Sequence, residues 1–344
     1  MKRSHRKTDL PLALLFSLVS LLVLSKSSPL YPMNDWVDVH CFLTVGRGIT
    51  QGLMPYRDLV DQKGPVLYLL FSAGSLLSKS SFLGVFFLEW LLFACFLYIS
   101  HRIALLYTDS FYVPRLVMLF FSVSIPLSAP FAHGCSAEEL SLPFLLLPLF
   151  LALRSRYRGY VLTPKEAFCT GFCAGLVFWI KYSLMGLFAG LAIATIFICE
   201  APKRWSVLLR MALHALLGFL AVTLPVLVWF FCRGALPDLF HVYFEVNLSS
   251  YAASHAPRHD PLHTVLLQAF AWSCPAMLSF ILPLFQAPSR RVRECVLVFL
   301  SAALLTYTLY LPQKSYVYYA LPLSIFAPSG LSALLEKIRT YVSS

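Results

Sequence analysis

The chain has 344 residues, of which 59% are hydrophobic and only 12% are charged, and its mean hydropathy is +0.74. A typical soluble domain is about a quarter charged, so this composition cannot cover a water-facing globule of this size. It excludes a soluble enzyme, a disordered protein and a nucleic-acid-binding protein, although the formal net charge is +11. We therefore expect an integral membrane protein embedded in a lipid bilayer.

Long apolar runs recur along the chain and predict an all-α fold of one polytopic domain, 1–344. A helix needs about 20 apolar residues to cross the hydrocarbon layer. That window predicts about ten transmembrane helices, at 10–26, 82–100, 113–130, 140–153, 166–180, 184–199, 206–232, 263–285, 294–311 and 319–335. The apolar run at 65–78 is short, and we expect it to lie at the membrane surface.

The distribution of basic residues predicts the orientation of these helices. If 65–78 does not cross, the cytoplasmic segments hold 18 of the 27 Lys and Arg residues, as the positive-inside rule requires. A crossing at 65–78 would place most of the later basic loops outside. The pattern therefore predicts a multi-pass protein of the cell membrane, with both termini cytoplasmic and most other titratable groups on the outer face. A protein whose titratable groups gather on one face is expected to work there.

The first external loop, 27–81, is the longest and carries the clearest local pattern. Between Asp35 and Ile49, apolar residues recur at steps of three and four, which predicts an amphipathic helix on the membrane surface. We expect Asn34 or Asp35 to cap its N-terminus and Gly52 to follow its end. The sequence PYRD at 55–58 predicts a turn before the second surface helix.

Several short motifs together resemble the GT-C class of membrane glycosyltransferases. This class uses polyprenyl-phosphate sugars and includes protein O-mannosyltransferases, the aminoarabinose transferase of lipid A and rhizobial core-oligosaccharide transferases. The motifs are an acidic residue opening the juxtamembrane helix, PYRD at 55–58, K-G-P at 63–65, the acidic pair Glu138-Glu139, WIKYS around Lys181, and the late QKSYVYYALPL with Lys314 and Tyr318. The resemblance implies a helical GT-C fold with its site on the outer face.

The resemblance also implies roles for particular residues of the first loop. The family's helix aligns with this chain so that Asp38 takes the position of the catalytic base and Lys63 that of a donor-phosphate ligand. The aminoarabinose transferase has an arginine three residues after the base, where this chain has Cys41. The second phosphate contact is therefore left to Arg57 or Arg47.

Further candidates for the same cavity each have a plain structural alternative. Capping alone would explain Asp35, and a helix N-terminus favours acids such as Glu138 and Glu139. Lysines at the bilayer interface often serve as anchors, which applies to both Lys63 and Lys181. Lys181 is a further candidate for binding the donor phosphate, and the other cavity candidates are Asp35, Glu138, Glu139, Lys314 and Tyr318.

No cofactor is expected. The family's aminoarabinose transferase carries an acid just before the phosphate-binding lysine. Here Gln62 stands there, which argues against a bound divalent metal while leaving it open. His255, His259 and His263 recur every four residues, but the intervening prolines break the helix that would align them, so no metal site is predicted there.

The function expected from these features is transfer of a sugar from a polyprenyl-phosphate donor to a cell-envelope acceptor, which is a glycan, a lipid or a protein. The transfer would invert the anomeric carbon. A transporter or flippase of lipid-linked saccharides is the alternative, although no paired internal repeat is evident. A third possibility is a membrane scaffold without catalytic activity. Convergence of Asp38, Lys63 and Glu139 on one cavity would discriminate among them.

Overall fold

The computed structural model of the protein describes residues 9–249, 288–311 and 316–343. This part of the chain is helical, and its only extended pairing is an isolated bridge between Pro55 and Leu59. The α-helices are α1 (Asp9–Leu24), α2 (Val37–Thr50), α3 (Pro65–Leu77), α4 (Leu83–Ala104), α5 (Val113–Ser124), α6 (Ala137–Arg154), α7 (Pro164–Lys181), α8 (Gly186–Ile198), α9 (Arg204–Cys232), α10 (Leu236–Phe240), α11 (Pro288–Tyr310) and α12 (Ala327–Ser343). A π-helix (His241–Val246) follows α10, and a 3-10 helix (Val317–Phe326) precedes α12. The all-α prediction is confirmed for the described residues.

Five helical segments of the described chain are long and apolar enough to cross a membrane. They are Leu83–Ala104, Pro164–Ile198, Arg204–Cys232, Val292–Tyr310 and Val317–Val342. These segments support a multi-pass membrane protein, but the count of ten crossings is not confirmed. The predicted helices at 166–180 and 184–199 form one helical segment of 35 residues, and 263–285 lies outside the described residues. Two further predicted spans, α1 and α5, are shorter, with 16 and 12 residues.

The two helices predicted for the first loop are both present, with one correction at the start of α2. The helix begins at Val37, its N-cap residue is Trp36, and no side chain caps it. The Asn34 side chain instead accepts the Trp36 N–H at 3.0 Å, which fixes the chain before the helix. The prediction that Asn34 or Asp35 caps α2 was therefore wrong, whereas Gly52, with φ +88°, follows its end as predicted.

The predicted turn at 55–58 is confirmed, and it precedes α3. The Asp58 carboxylate accepts the Met54 N–H at 2.8 Å, and the Tyr56 N–H donates to the Leu59 carbonyl at 2.8 Å. With 13 residues, α3 is about 20 Å long at 1.5 Å per residue, well short of the roughly 30 Å hydrocarbon layer. This length agrees with a helix that does not cross.

Two apolar cores organise the described residues. The larger joins α1, α4 to α8, α11 and α12 through buried aliphatic and aromatic side chains. The smaller packs α2 and α3 against the start of α6, the end of α7 and the segment α9–α10 with its π-helix. The first loop is thereby fixed to the ends of several long helices by its own core.

Ion pairs connect the helix ends that lie on the side away from the first loop. Asp9 at the start of α1 pairs with Arg115 at the start of α5, and His101 from the end of α4 lies 3.6 Å from the same carboxylate. Arg156, just after α6, pairs with Glu294 of α11 at 2.9 Å. Because α1 and α5 start where α4 ends, α4 runs antiparallel to both of them.

Candidate functional site

An interruption of the long segment Pro164–Ile198 creates the centre of the site. Helix α7 ends at Lys181, whose extended backbone (φ −159°, ψ 99°) precedes a short 3-10 turn. The end of a helix leaves carbonyl groups without intrahelical partners. The Ile180 carbonyl accepts the Gly64 N–H at 3.0 Å, and the Phe178 carbonyl accepts the Tyr243 hydroxyl. The interrupted end of α7 thus holds both the first loop and the π-helix.

Gly64 lies so close to α7 that no larger residue fits. A Cβ atom at this position would lie 2.0 Å from the Trp179 carbonyl oxygen and 2.9 Å from the Tyr243 hydroxyl. Both neighbours belong to the buried smaller core and cannot withdraw easily. The K-G-P motif therefore contains its glycine for a steric reason, and the adjacent Lys63 is fixed beside Lys181.

The backbone of Lys63 is held on both sides by tyrosine hydroxyls. Its N–H donates to the Tyr68 hydroxyl at 2.9 Å, and its carbonyl accepts from the Tyr56 hydroxyl. Tyr68 in turn donates to the Asp61 carboxylate at 2.9 Å. Both tyrosines are buried, and Tyr56 adopts a left-handed backbone (φ 71°) that is uncommon for a bulky residue. The lysine is thus presented from a rigid, preorganised loop.

Asn247, just after the π-helix, also holds the loop that carries Lys63, in addition to Tyr56 and Tyr68. Its side-chain amide donates to the Gln62 carbonyl at 2.8 Å and to the Tyr243 carbonyl at 3.0 Å. A π-helix shifts the register of the residues that follow it, and such distortions are frequent at functional sites. Here the shift directs Asn247 toward the Lys63 loop.

Lys181 is buried and its charge is compensated. Only 9% of the residue is exposed, and its ammonium forms an ion pair with Glu138, of which 1% is exposed. The same ammonium lies 3.7 Å from the centre of the Tyr319 ring and 5.7 Å from that of Tyr318. A buried charge needs such partners because burial alone would be costly. Lys181, Glu138 and the two tyrosines therefore form one polar cluster.

Asp38 faces this cluster from the first turn of α2 and is half-buried. Burial raises the pKa of its carboxyl above the usual 3.8. The positive charge of Lys63 opposes that rise, the negative charges of Glu138 and Asp61 add to it, and Lys181 opposes it again. The structure therefore places Asp38 within electrostatic range of Lys63, Glu138 and Lys181, and all four residues were site candidates in the sequence.

A small cavity of about 50 Å³ lies at the meeting point of these elements. The residues that line it come from the first loop, the end of α7, the π-helix region and the 3-10 helix before α12: Gln62, Lys63, Ile180, Lys181, Tyr182, Ser183, Tyr243, Asn247 and Tyr319. The Lys63 ammonium lies 6.0 Å from the Phe42 ring centre and has no ion pair within the described residues. Of the two lysines, Lys63 is the one available to an anion.

Two of the predicted phosphate ligands lie elsewhere. Arg57 is exposed, pairs with Asp58 at 3.0 Å and donates to the Arg233 carbonyl at 2.9 Å. Arg47 lies in the last turn of α2, and its Nε is buried without a hydrogen bond. Neither side chain lines the cavity of Lys63 within the described residues. Lys314 lies outside the described residues.

The predicted acids Asp35 and Glu139 also differ from Asp38 in their surroundings. The Asp35 carboxylate is 64% exposed and lies 2.7 Å from His133 Nδ1. Partial loss of hydration would raise its pKa, but the hydrogen bond and charge of His133 outweigh that effect and lower the pKa. Glu139 is buried at the start of α6 and accepts the Cys135 N–H at 2.6 Å. It lies near Glu89 of α4, whose Oε2 accepts from the Ser25 hydroxyl at 2.8 Å, and it does not line the cavity.

Three residues of the site were missed by sequence reasoning. Asp61 precedes Lys63 by two residues but has no motif of its own. Tyr319 belongs to the quoted YVYYALPL stretch, although Tyr318 was singled out instead. Asn247 begins an N-x-S sequence that suggests glycosylation, whereas its amide is engaged with the first loop. Within the described residues, no group of three His, Cys, Asp or Glu side chains is placed to hold a metal ion.

The tyrosine anchors of Lys63 lead to a stability prediction. We expect Tyr68→Phe to lower the melting temperature in detergent, because the Lys63 N–H and one Asp61 oxygen lose their partner. An unpaired buried polar group costs about 1–3 kcal/mol. Tyr112→Phe is the matched control, since Tyr112 is 70% exposed. Equal melting temperatures for the two variants would contradict the anchoring role.

Comparison with known proteins adds no family assignment. No protein-family model matches the chain, and no curated protein is significantly similar to it. The candidate site therefore stands on its own geometry and on the short motifs of the first loop.

Proposed function

We propose that this protein is a membrane glycosyltransferase that moves a sugar from a polyprenyl-phosphate donor to a cell-envelope acceptor. One observation carries the proposal: a half-buried carboxylate, Asp38, lies within electrostatic range of the Lys63 ammonium, which lines a small cavity and has no ion pair within the described residues. Transfer from a lipid phosphate needs such a pair, a base for the acceptor hydroxyl and a cation for the departing phosphate.

The chemistry follows from these two groups. As the acceptor oxygen bonds to the anomeric carbon, Asp38 takes the proton of that hydroxyl. The bond between the anomeric carbon and the phosphate oxygen breaks, and its electron pair leaves with the lipid phosphate. Lys63 stabilises the negative charge that develops there. Attack opposite the leaving phosphate inverts the anomeric configuration.

Two structural features support an anion beside Lys63. The lysine directly precedes the N-terminus of α3, where unpaired N–H groups and the helix dipole favour negative charge. Glu138 neutralises the charge of Lys181, so that Lys181 does not compete with Lys63 for the donor phosphate. In this mechanism, Lys181 forms part of the cavity wall and Glu138 neutralises its charge.

We also propose that ten helices cross the bilayer, with both termini cytoplasmic and the first loop outside. The split of basic residues supports this layout. The direction of α4, antiparallel to α1 and α5, agrees with it, because it puts the end of α1 and the start of α4 on the side of the first loop.

The function is tested directly by reconstituting the purified protein with a panel of polyprenyl-phosphate sugars. We expect release of polyprenyl phosphate that depends on an added cell-envelope fraction as acceptor. A protein that moves intact lipid-linked saccharide across the vesicle membrane without breaking the phosphate bond would be a flippase instead.

Lys63→Ala is expected to weaken donor binding and turnover together, because a charge-assisted contact to the phosphate is lost. Lys63→Arg should keep part of the activity. Lys79→Ala is the control, since Lys79 is an exposed lysine of the same loop. Donor titration and initial rates measure both effects, and an alanine variant equal to the control would identify Lys63 as an interfacial anchor.

Asp38→Asn is expected to reduce turnover by roughly 10²–10⁴ while donor affinity changes little, because the amide cannot accept a proton. Asp109→Asn, at an exposed aspartate remote from the cavity, is the matched control. Rate measurements on equally expressed proteins test this, and an Asn variant with normal turnover would remove Asp38 from the mechanism.

The raised pKa of Asp38 predicts the pH dependence. Protonated Asp38 cannot act as a base, so kcat/KM should rise with pH and reach half its maximum above pH 3.8. In Lys63→Ala the opposing positive charge is absent, and the residual activity should show a midpoint at still higher pH. A midpoint at or below 3.8, or a shift in the other direction, would contradict this assignment.

The topology is tested with two matched lysines, Lys79 and Lys165, which are both exposed. After replacement by cysteine in a cysteine-depleted background, an impermeant thiol reagent added to intact cells should label position 79. Position 165 should react only after the membrane is opened. Labelling of position 165 in intact cells would refute the proposed orientation.

A further inference from the structure

A second, larger hollow lies on the flank of α2, separate from the cavity between Lys63 and Lys181. It is a groove of about 310 Å³, within the range of small-molecule sites. Helix α2 forms one wall and the chain after the PYRD turn forms the other. The lining residues are Asp35, Val37, His40, Cys41, Thr44, Val45, Leu59, Val60 and Asp61.

One side of this groove lies close to the proposed reaction centre. Cys41 lines the groove one helical turn after Asp38, on the adjoining face of α2. Burial raises the pKa of its thiol; the charges of Asp61 and Asp38 raise it further, and Lys63 lowers it. The thiol therefore lies within electrostatic range of both groups assigned to the chemistry. Asp61 links the groove to the Lys63 loop, since it lines the groove and its carboxylate accepts the Tyr68 hydroxyl, which also accepts the Lys63 N–H.

The polar atoms of the groove are mainly hydrogen-bond acceptors. Asp35 presents a largely exposed carboxylate with one oxygen bonded to His133, and Asp61 presents a second carboxylate, which also accepts the Gln62 N–H and the Tyr68 hydroxyl. The Thr44 hydroxyl donates to the His40 carbonyl at 2.8 Å, so its oxygen faces a ligand as an acceptor. None of the described residues that line the groove is a lysine or an arginine. Such a lining suits hydroxyl or ammonium donors and repels phosphates and carboxylates.

The remaining surface of the groove is apolar and suits the C–H faces of a sugar ring. Val37 and Val60 are 71% and 78% exposed, and with Val45 and Leu59 they line the same groove. A pyranose ring combines a rim of hydroxyl groups with faces of C–H bonds, which matches acceptors placed among aliphatic side chains.

We propose that this groove binds the acceptor, and that the acceptor is a hydroxyl-rich saccharide, neutral or cationic, without anionic groups. The inference rests on the proposed function for its catalytic meaning, because Cys41 in the groove lies one helical turn after Asp38. Saccharide binding to the groove can be measured without any donor.

The test uses three tetrasaccharides that differ in charge: tetraglucose, tetraglucosamine and tetragalacturonate. Their binding to the purified full-length protein is measured by calorimetry in detergent. We expect the neutral or the cationic saccharide to bind at least about tenfold more tightly than the anionic one, a difference of about 1.4 kcal/mol. Absence of binding by all three, or tightest binding of tetragalacturonate, would overturn the proposal.

Two threonines of α2 provide a matched pair of variants. Both are exposed and donate to a carbonyl of their own helix, but Thr44 lines the groove and Thr50 does not. Thr44→Tyr should fill the groove and weaken saccharide binding at least about tenfold, whereas Thr50→Tyr should bind like the unaltered protein. Equal binding by the two variants would overturn the proposal.

A charge reversal keeps the test decisive if Thr44→Tyr fails to fold. Asp35→Lys should shift the preference toward tetragalacturonate, and an unchanged preference would refute the electrostatic argument.

The results distinguish a failure of the groove proposal from a failure of the proposed function. Saccharide binding without donor turnover would support the groove as a binding site and refute the transferase proposal. Turnover with an acceptor KM unchanged in Thr44→Tyr would support the transferase proposal and refute the groove as the acceptor site.

Discussion

The hydrogen bond between the Gly64 N–H and the Ile180 carbonyl is the contact on which the site depends. It exists because α7 stops at Lys181 and leaves carbonyl groups that need partners. The same break turns Lys181 out of the helix toward Glu138. One interruption therefore places two lysines, from segments more than a hundred residues apart in sequence, on opposite walls of one cavity. The close approach of Gly64 to Trp179 makes this junction rigid.

The difference between the two lysines follows from their partners. Lys181 is buried and compensated by Glu138, so its charge contributes to the structure of the wall. Lys63 has its backbone fixed by Tyr56, Tyr68 and the neighbouring Asn247 contact, while its ammonium remains available. Fixing the backbone reduces the entropy lost when the side chain binds a ligand. This arrangement is the physical reason for assigning the phosphate to Lys63.

Much of this architecture could be predicted from the sequence, because periodicity and hydropathy report burial directly. The amphipathic α2, the short α3 and the PYRD turn are local features, and all three were predicted. The cap of α2 was predicted wrongly, because the Asn34 side chain bonds the Trp36 N–H before the helix begins. Tertiary contacts decided the rest. Asp61 and Asn247 carry no spacing signal, and Arg57 could not be distinguished from a cavity residue until its bond to Arg233 was seen.

The most direct test of the account is the location of the donor phosphate. A cryo-electron microscopy structure of the full-length protein with a polyprenyl phosphate should place the phosphate within hydrogen-bond distance of the Lys63 ammonium. The phosphate should lie on the side that faces Asp38, with the Lys181–Glu138 pair still intact. A phosphate bound at Lys181 with Glu138 displaced, or at a site remote from both lysines, would contradict the account.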